Sequence, residues 1–327
     1  SNFQEMKTIA EYSADVETAL RALSFPGGKL ASLYQPIEYA LSAGGKRIRP
    51  VLTLMGADAF GGNASEAMRQ ALGIEIFHNF TLLHDDVMDK SDVRRGRATV
   101  HKKYDENTAI LSGDTMLTLA TKFVADVPDS KLRMVTDTFN DMALKLYEGQ
   151  RLDMDFETSE KISLNEYLEM IEGKTGSLLG AAVKIGAIIG GASGKDAQAM
   201  YEFGVMTGLA FQIQDDWLDT FGDATTFGKP IGGDIMNGKK TYLYVAAFEE
   251  GGKTVEALHT AFNIAPGEMR VKTVTRLYEK LGMSEKCKKA VGHYSAKALK
   301  ALNSTSLGEE EKEAFRKLAE KLIGRKK

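Results

Sequence analysis

Between residues 66 and 87 the chain carries Leu72, Ile74, Ile76, Phe77, Phe80, Leu82 and Leu83, positions that fall on almost every face of a helix. A helix that is apolar all round is stable only when other elements surround it. The rest of the chain supplies such elements. Only six prolines occur in 327 residues, and the stretches between them are rich in Ala, Leu, Met, Glu and Lys, which favour helix. Strand signals are scarce. The expected fold class is all-α, with helices to about residue 24 and over 30–42, 54–61, 66–87, 109–126, 131–156, 164–189, 197–221 and 240–262, and at least one more near the C-terminus. Pro50 suits the first turn of the third of these. No linker or shift of composition divides them, which predicts a single domain over residues 1–327.

Charge narrows the partners. With 42 Lys+Arg against 45 Asp+Glu the formal net charge is -3, so no general basic field exists to hold nucleic acid, and any anion site must be local. Cys287 is the only cysteine, which excludes an intramolecular disulfide and fits a reducing compartment. The N-terminus lacks the charged, apolar and cleavage regions of a secretory leader. The longest apolar stretch, residues 178–192, is short and interrupted by Lys184 and several glycines, so no integral membrane segment is expected. A cytoplasmic location is the expectation. The terminal Arg325-Lys326-Lys327 reads as a basic tail.

One pattern occurs twice. Leu82-Leu83-His84-Asp85-Asp86-Val87-Met88-Asp89 is echoed by Gln212-Ile213-Gln214-Asp215-Asp216-Trp217-Leu218-Asp219. On a helix, carboxylates four residues apart have Cβ atoms roughly 5–6 Å apart and repel. Each cluster closes an apolar helical run near its C-terminus, where the helix dipole also disfavours negative charge. A solvated acidic face would follow polar sequence and be broken by Lys or Arg; these runs follow core-like sequence. A divalent cation relieves both clusters, and all-oxygen ligands favour magnesium. Magnesium keeps most of its positions for water and phosphate, so paired carboxylates imply a phosphorylated substrate. Cations suited to phosphate lie nearby: Lys46, Arg47 and Arg49 in the turn Ala43-Gly44-Gly45-Lys46-Arg47-Ile48-Arg49-Pro50, Arg94 and Arg95 after the first cluster, and Lys229 after the second.

These motifs, with Gly173-Lys174-Thr175 between them, resemble in order and residue type the trans-isoprenyl diphosphate synthases, also called polyprenyl synthetases, over roughly residues 41–240. The resemblance implies an antiparallel helical bundle around a central cavity, usually a homodimer. It implies condensation of isopentenyl diphosphate with an allylic diphosphate (dimethylallyl, geranyl or farnesyl) to farnesyl or geranylgeranyl diphosphate. Lys46, Arg49, His78 and Arg95 match positions that hold isopentenyl diphosphate. Arg94, Lys174, Thr175, Gln212, Lys229 and Lys239 match contacts to the allylic diphosphate and its metals. Asp85 and Asp89, with Asp215, match ligands of three magnesium ions, and Asp86, Asp216 and Asp219 match supporting or ligand positions.

Other features bear on the chemistry. No Ser-His-Asp or Cys-His arrangement stands out, in agreement with a reaction that needs no protein nucleophile. Gly173-Lys174-Thr175-Gly176 interrupts a helical stretch, and open carbonyls there would steady a carbocation. A P-loop reading fails because Leu168 stands where a glycine is needed. Phe80 lies five residues before Asp85, about 7.5 Å along a helix. That puts its ring where it can act as a floor for the growing chain, though core packing accounts for it equally well. Thr81 beside it is small. Only Val87 and Met88 separate Asp86 from Asp89, which leaves farnesyl and geranylgeranyl products both open, with a lean to the latter. Two rival readings are a terpene cyclase, whose second motif normally carries Asn, Ser and Glu, and a di-iron helical bundle, whose half-site spacing Glu75-x-x-His78 and Glu256-x-x-His259 match.

Overall fold

The computed structural model describes residues 5–227 and 230–324, and the all-α expectation holds among them. In chain order the helices are α1 (Ile9–Arg21), α2 (Ala31–Leu41), α3 (Ile48–Ala59), α4 (Met68–Asp89), α5 (Val100–Lys103), α6 (Glu106–Val124), α7 (Asp129–Thr158), α8 (Leu164–Ile171), α9 (Ser177–Gly190), α10 (Gly194–Phe221), α11 (Ala224–Phe227), α12 (Gly233–Met236), α13 (Tyr242–Glu250), α14 (Lys253–Phe262), α15 (Glu268–Lys280), α16 (Met283–Asn303) and α17 (Glu309–Gly324). None is long and apolar enough to cross a membrane. The described residues form two compact units. One comprises those up to Asp141 together with Ala181–Gln198, the other Met142–Gly180 together with those from Ala199 onward.

Three elements differ from those expected. The stretch expected as one helix over 164–189 is α8, a π-helical turn at Glu172–Gly176, and α9. The expected helix over 240–262 is divided into α13 and α14 because Gly251 and Gly252 adopt φ 69° and 85°, left-handed values that end a helix. Between α4 and α5 the chain makes an unforeseen hairpin, β1 (Val93–Arg94) against β2 (Arg97–Ala98), with Arg94 opposite Arg97. Arg95 and Gly96 turn it with φ 51° and 74°, the positive pair of a type I′ turn.

In the first unit α1 begins with a reciprocal cap: the Thr8 hydroxyl accepts from Glu11 N–H while the Glu11 carboxylate accepts from Thr8 N–H. The central helix is α4, whose Leu72, Ile74, Ile76, Phe77, Phe80 and Leu83 are all buried, as its all-round apolarity requires. Close backbone approach tightens this unit elsewhere. A Cβ on Gly186 of α9 would lie 2.0 Å from the Thr53 carbonyl oxygen of α3, and the Thr53 hydroxyl donates to the Ala182 carbonyl at 2.9 Å. In the second unit α10, α13, α15 and α16 enclose a core that includes Ile213, Leu243, Ala246, Val274, Tyr278 and Cys287.

The α3–α9 contact yields a stability prediction. Gly186→Ala forces backbone apart and is expected to cost about 1–3 kcal/mol, measured as a lower midpoint in urea unfolding followed by circular dichroism. An unchanged midpoint contradicts the close approach.

Candidate active site

The glycine turn ahead of α3 and the end of α4 build a cationic pocket wall in the first unit. Gly44 and Gly45 take φ 80° and 128°, and a Cβ on Gly45 would meet the Arg95 guanidinium at 3.1 Å. Glycine therefore lets Arg95 lie against the turn, where its Nη1 donates to the Gly44 carbonyl at 2.5 Å. Arg47, expected from sequence among the phosphate-binding cations, has another duty. Its buried guanidinium donates to Glu17 at 2.5 Å, to Glu75 at 3.1 Å and to the Leu41 carbonyl at 2.7 Å, which ties α1, α4 and the end of α2 to the turn. Arg49 differs, because its Nε is buried without a hydrogen-bond partner. Burial lowers the Arg49 and Arg95 guanidinium pKa values, Glu75 opposing in both cases. Burial, followed by the charges of Arg49, Arg95, Arg94 and Arg47, drives the His78 imidazole well below its ordinary value, so it stands neutral among cations. Lys46 is exposed on the same turn.

At the end of α4, Asp85 is half-buried and Asp89 exposed, while Asp86 is buried. Arg94 on β1 donates Nε and Nη2 to the two oxygens of Asp86, each at 2.8 Å, a bidentate pair that fixes the hairpin to the helix. Asp86, Arg94, Arg95 and Arg97 border a cleft of about 380 Å³. One turn back, Phe80 is buried against Phe77 and His84, ring centroids 5.5 and 4.9 Å away. The buried Thr81 returns its hydroxyl to the His78 carbonyl at 2.6 Å.

The second unit builds a cleft of about 350 Å³ lined by Asp153, Tyr167, Lys174, Thr175, Gln212, Asp216 and Lys239. The π turn is held close to α7: a Cβ on Gly149 would lie 2.5 Å from Lys174 N, and one on Gly173 would lie 2.5 Å from the Lys145 carbonyl oxygen. That approach delivers Lys174 to Asp153, Nζ to carboxylate 2.5 Å. Within this turn the Gly173 carbonyl accepts from the Ser177 hydroxyl at 2.5 Å. Thr175 donates to Gln212 at 3.3 Å and Gln212 donates to Asp216 at 3.2 Å. Asp216 also accepts from Tyr242 N–H at 2.9 Å and from the Tyr167 hydroxyl. Asp219 is buried and accepts from Asp234 N–H at 2.9 Å. Asp215 is half-buried beside them. The neighbouring lysines divide their roles. Burial pulls the Lys239 ammonium down, but Asp234, Asp216, Asp153 and Asp215 hold it above its ordinary value. Lys240 donates instead to the carbonyls of Phe156 and Ser159 at the end of α7. Lys229 and the basic tail Arg325-Lys326-Lys327 lie outside the described residues.

Among the described residues no three His, Cys, Asp or Glu side chains gather into a metal cage. Carboxylate pairs at helix ends still suit a hard cation that keeps most of its positions for water and phosphate, and the donors are all oxygen. The di-iron spacing does not survive: Glu75 is ion-paired with Arg47, and Glu256 and His259 are exposed on α14. Asp153, Tyr167 and the counter-ion role of Glu75 escaped the sequence reading. A glycine in the middle of α7, Gly149, was the one signal pointing toward Asp153.

The described residues thus make a helical protein with carboxylates at two helix ends and with arginines or lysines lining a cleft in each unit. Residues 30–281 match the polyprenyl synthetase family, and the chain belongs to that family. It is 42% identical over 247 residues to a geranylgeranyl diphosphate synthase of Methanosarcina mazei, covering 75% of this chain and 76% of that protein. It is 36% identical over 261 residues to a geranylfarnesyl diphosphate synthase of Natronomonas pharaonis, covering 74% of this chain and 76% of that one. A crystal structure of a geranylgeranyl pyrophosphate synthase is similar at TM-score 0.93 and 41% identity, over 98% of this chain and all of that one (100%).

Burial pushes the Asp216 carboxyl up to about 6 from an ordinary 3.8, Lys239 opposing. A carboxyl raised on folding binds more protons in the native state between those values. Its contribution is therefore present below about pH 4 and is lost as pH rises to about 6, on the order of 3 kcal/mol. Asp216→Asn should flatten this part of the pH profile of urea unfolding, whatever its absolute stability. A slope equal to the wild type between pH 4 and 6 contradicts the assignment.

Proposed function

We propose that the whole chain works as one magnesium-dependent prenyltransferase domain that condenses isopentenyl diphosphate with allylic diphosphates to a short-chain product, geranylgeranyl diphosphate foremost. The observation that carries this is the arginine cluster of the first unit. Arg49 has a buried Nε without a partner, Arg95 lies against a glycine turn, and burial and the charges of both lower the His78 imidazole well below its ordinary value. An anion with several oxygens relieves such a cluster, and the exposed Lys46 adds a point charge on the same turn. We assign this group to the diphosphate of isopentenyl diphosphate.

The allylic diphosphate is assigned to Lys174, Thr175, Gln212 and Lys239, with Arg94 and Lys229 completing the set. We assign Asp85, Asp89 and Asp215 to magnesium, about three ions by family resemblance, and Asp219 to a supporting role. Magnesium, when bound, supplies charge that stabilises the departing diphosphate. Lys174 and Lys239 add fixed positive charge where negative charge develops as the allylic C–O bond breaks. The double bond of isopentenyl diphosphate then forms the new C–C bond, and the proton lost in restoring the alkene passes to the released diphosphate. Neutral His78 orients a diphosphate without adding a competing acid. The relatives named geranylgeranyl diphosphate synthase support the product length, and the buried Phe80 is assigned as the floor of the chain. A homodimer in the cytoplasm is the setting proposed.

Asp85→Asn and Asp215→Asn are each expected to lower turnover by on the order of a hundredfold or more with the helical circular dichroism intact. Near-normal turnover in both removes the metal assignment. Phe80→Ala is expected to lengthen the products resolved by chromatography, and an unchanged length distribution removes Phe80 as a floor.

A further inference from the structure

The second aspartate motif contains a carboxylate whose surroundings do not fit a metal ligand. Asp216 is 1% exposed, and protein donors reach both of its oxygens. Gln212 Nε2 reaches Oδ1 at 3.2 Å, Tyr242 N–H reaches Oδ2 at 2.9 Å, and the Tyr167 hydroxyl reaches Oδ2 as well. These donors come from three places: Tyr167 from α8, Gln212 from α10, and Tyr242 from the start of α13. Each of those places carries a diphosphate residue close by. Tyr167 precedes the π turn with Lys174 and Thr175, Gln212 precedes Asp215, and Tyr242 follows Lys239. Thr175 joins the same chain through Gln212 at 3.3 Å.

We propose that Tyr167 is a positioning residue, which through its hydroxyl bond to Asp216 locks the π turn, the end of α10 and the Lys239 segment into one diphosphate-binding geometry. The tyrosine suits this task. Its ring is packed edge-on against Tyr242, centroids 6.1 Å apart, and burial followed by the Asp216 charge keeps its hydroxyl protonated. A buried carboxylate deprived of one donor shifts toward another partner, so loss of the hydroxyl releases α8 and the π turn after it from the end of α10 and leaves Asp216 on the Gln212 and Tyr242 bonds alone. The inference rests on the reading of Lys174, Lys239 and Asp215 as the allylic diphosphate and metal site. It changes the expected role of Asp216 from ligand to hub.

The test uses the full chain with magnesium and inorganic diphosphate, titrated by calorimetry, beside steady-state kinetics. Wild type that binds no magnesium diphosphate overturns the underlying site reading and leaves nothing for Tyr167 to position. Given wild-type binding, Tyr167→Phe is expected to weaken it about ten- to a hundredfold and to lower kcat by a similar factor. The KM for isopentenyl diphosphate, assigned to the other unit, should stay within about twofold. Tyr294→Phe, in a partly buried tyrosine packed against the same core, controls for loss of packing and should leave both readouts unchanged. Magnesium diphosphate affinity that is unchanged or tighter in Tyr167→Phe, as for a carboxylate set free to bind metal, overturns the proposal. So does an equal loss in Tyr294→Phe. Should Tyr167→Phe fail to fold, Asp216→Asn replaces it, with the same loss expected and wild-type affinity overturning the proposal. Where both variants fold, combining them should cost no more than Asp216→Asn alone, and additive losses count against a shared path.

Discussion

Carboxylates placed four residues apart at the end of an apolar helix repel each other and the helix dipole, and a folded chain tolerates them only beside positive charge. Most of the chemistry of this protein follows from how that charge is supplied. Protein cations meet part of the need. Arg94 neutralises Asp86 with a two-pronged bond, and Lys239 faces Asp216, Asp215 and Asp234. Asp85, Asp89 and Asp215 are less buried than Asp86 and Asp216. Each motif therefore has an inner carboxylate that organises the protein and outer ones suited to a divalent cation.

The same division runs through the cations. Arg47 and Arg49 are two residues apart, yet Arg47 is held by Glu17, Glu75 and a carbonyl, whereas the Nε of Arg49 has no partner. Lys239 lines a cleft of carboxylates while Lys240 caps the end of α7. Alternation of structural and functional charge along one segment follows from helix and loop geometry, since adjacent side chains point in different directions.

Much of this was legible in the sequence. The all-round apolar pattern of residues 66–87 identified α4, and the repeated aspartate motif identified the ends of α4 and α10 as chemically special. The break at Gly173-Lys174-Thr175-Gly176 was visible as glycines in a helical run, but its π-helical form depends on the approach of α7 at Gly149, a tertiary contact. The hairpin that presents Arg94 and Arg95 was hidden because two-residue strands carry no alternation to detect. Asp153 looked like one acid among several on α7, and Tyr167 like a core aromatic; their partners Lys174 and Asp216 lie 21 and 49 residues away. Arg47 was misjudged for the same reason, since Glu75, 28 residues on, claims it.

The most direct measurement is product analysis of the purified chain given magnesium, isopentenyl diphosphate and each of dimethylallyl, geranyl and farnesyl diphosphate in turn. The predicted result is an elongated prenyl diphosphate with release of inorganic diphosphate, strictly dependent on both substrates and abolished by chelation of the metal. A hydrocarbon formed from farnesyl diphosphate alone, or no elongation with any of the three starters, would contradict it.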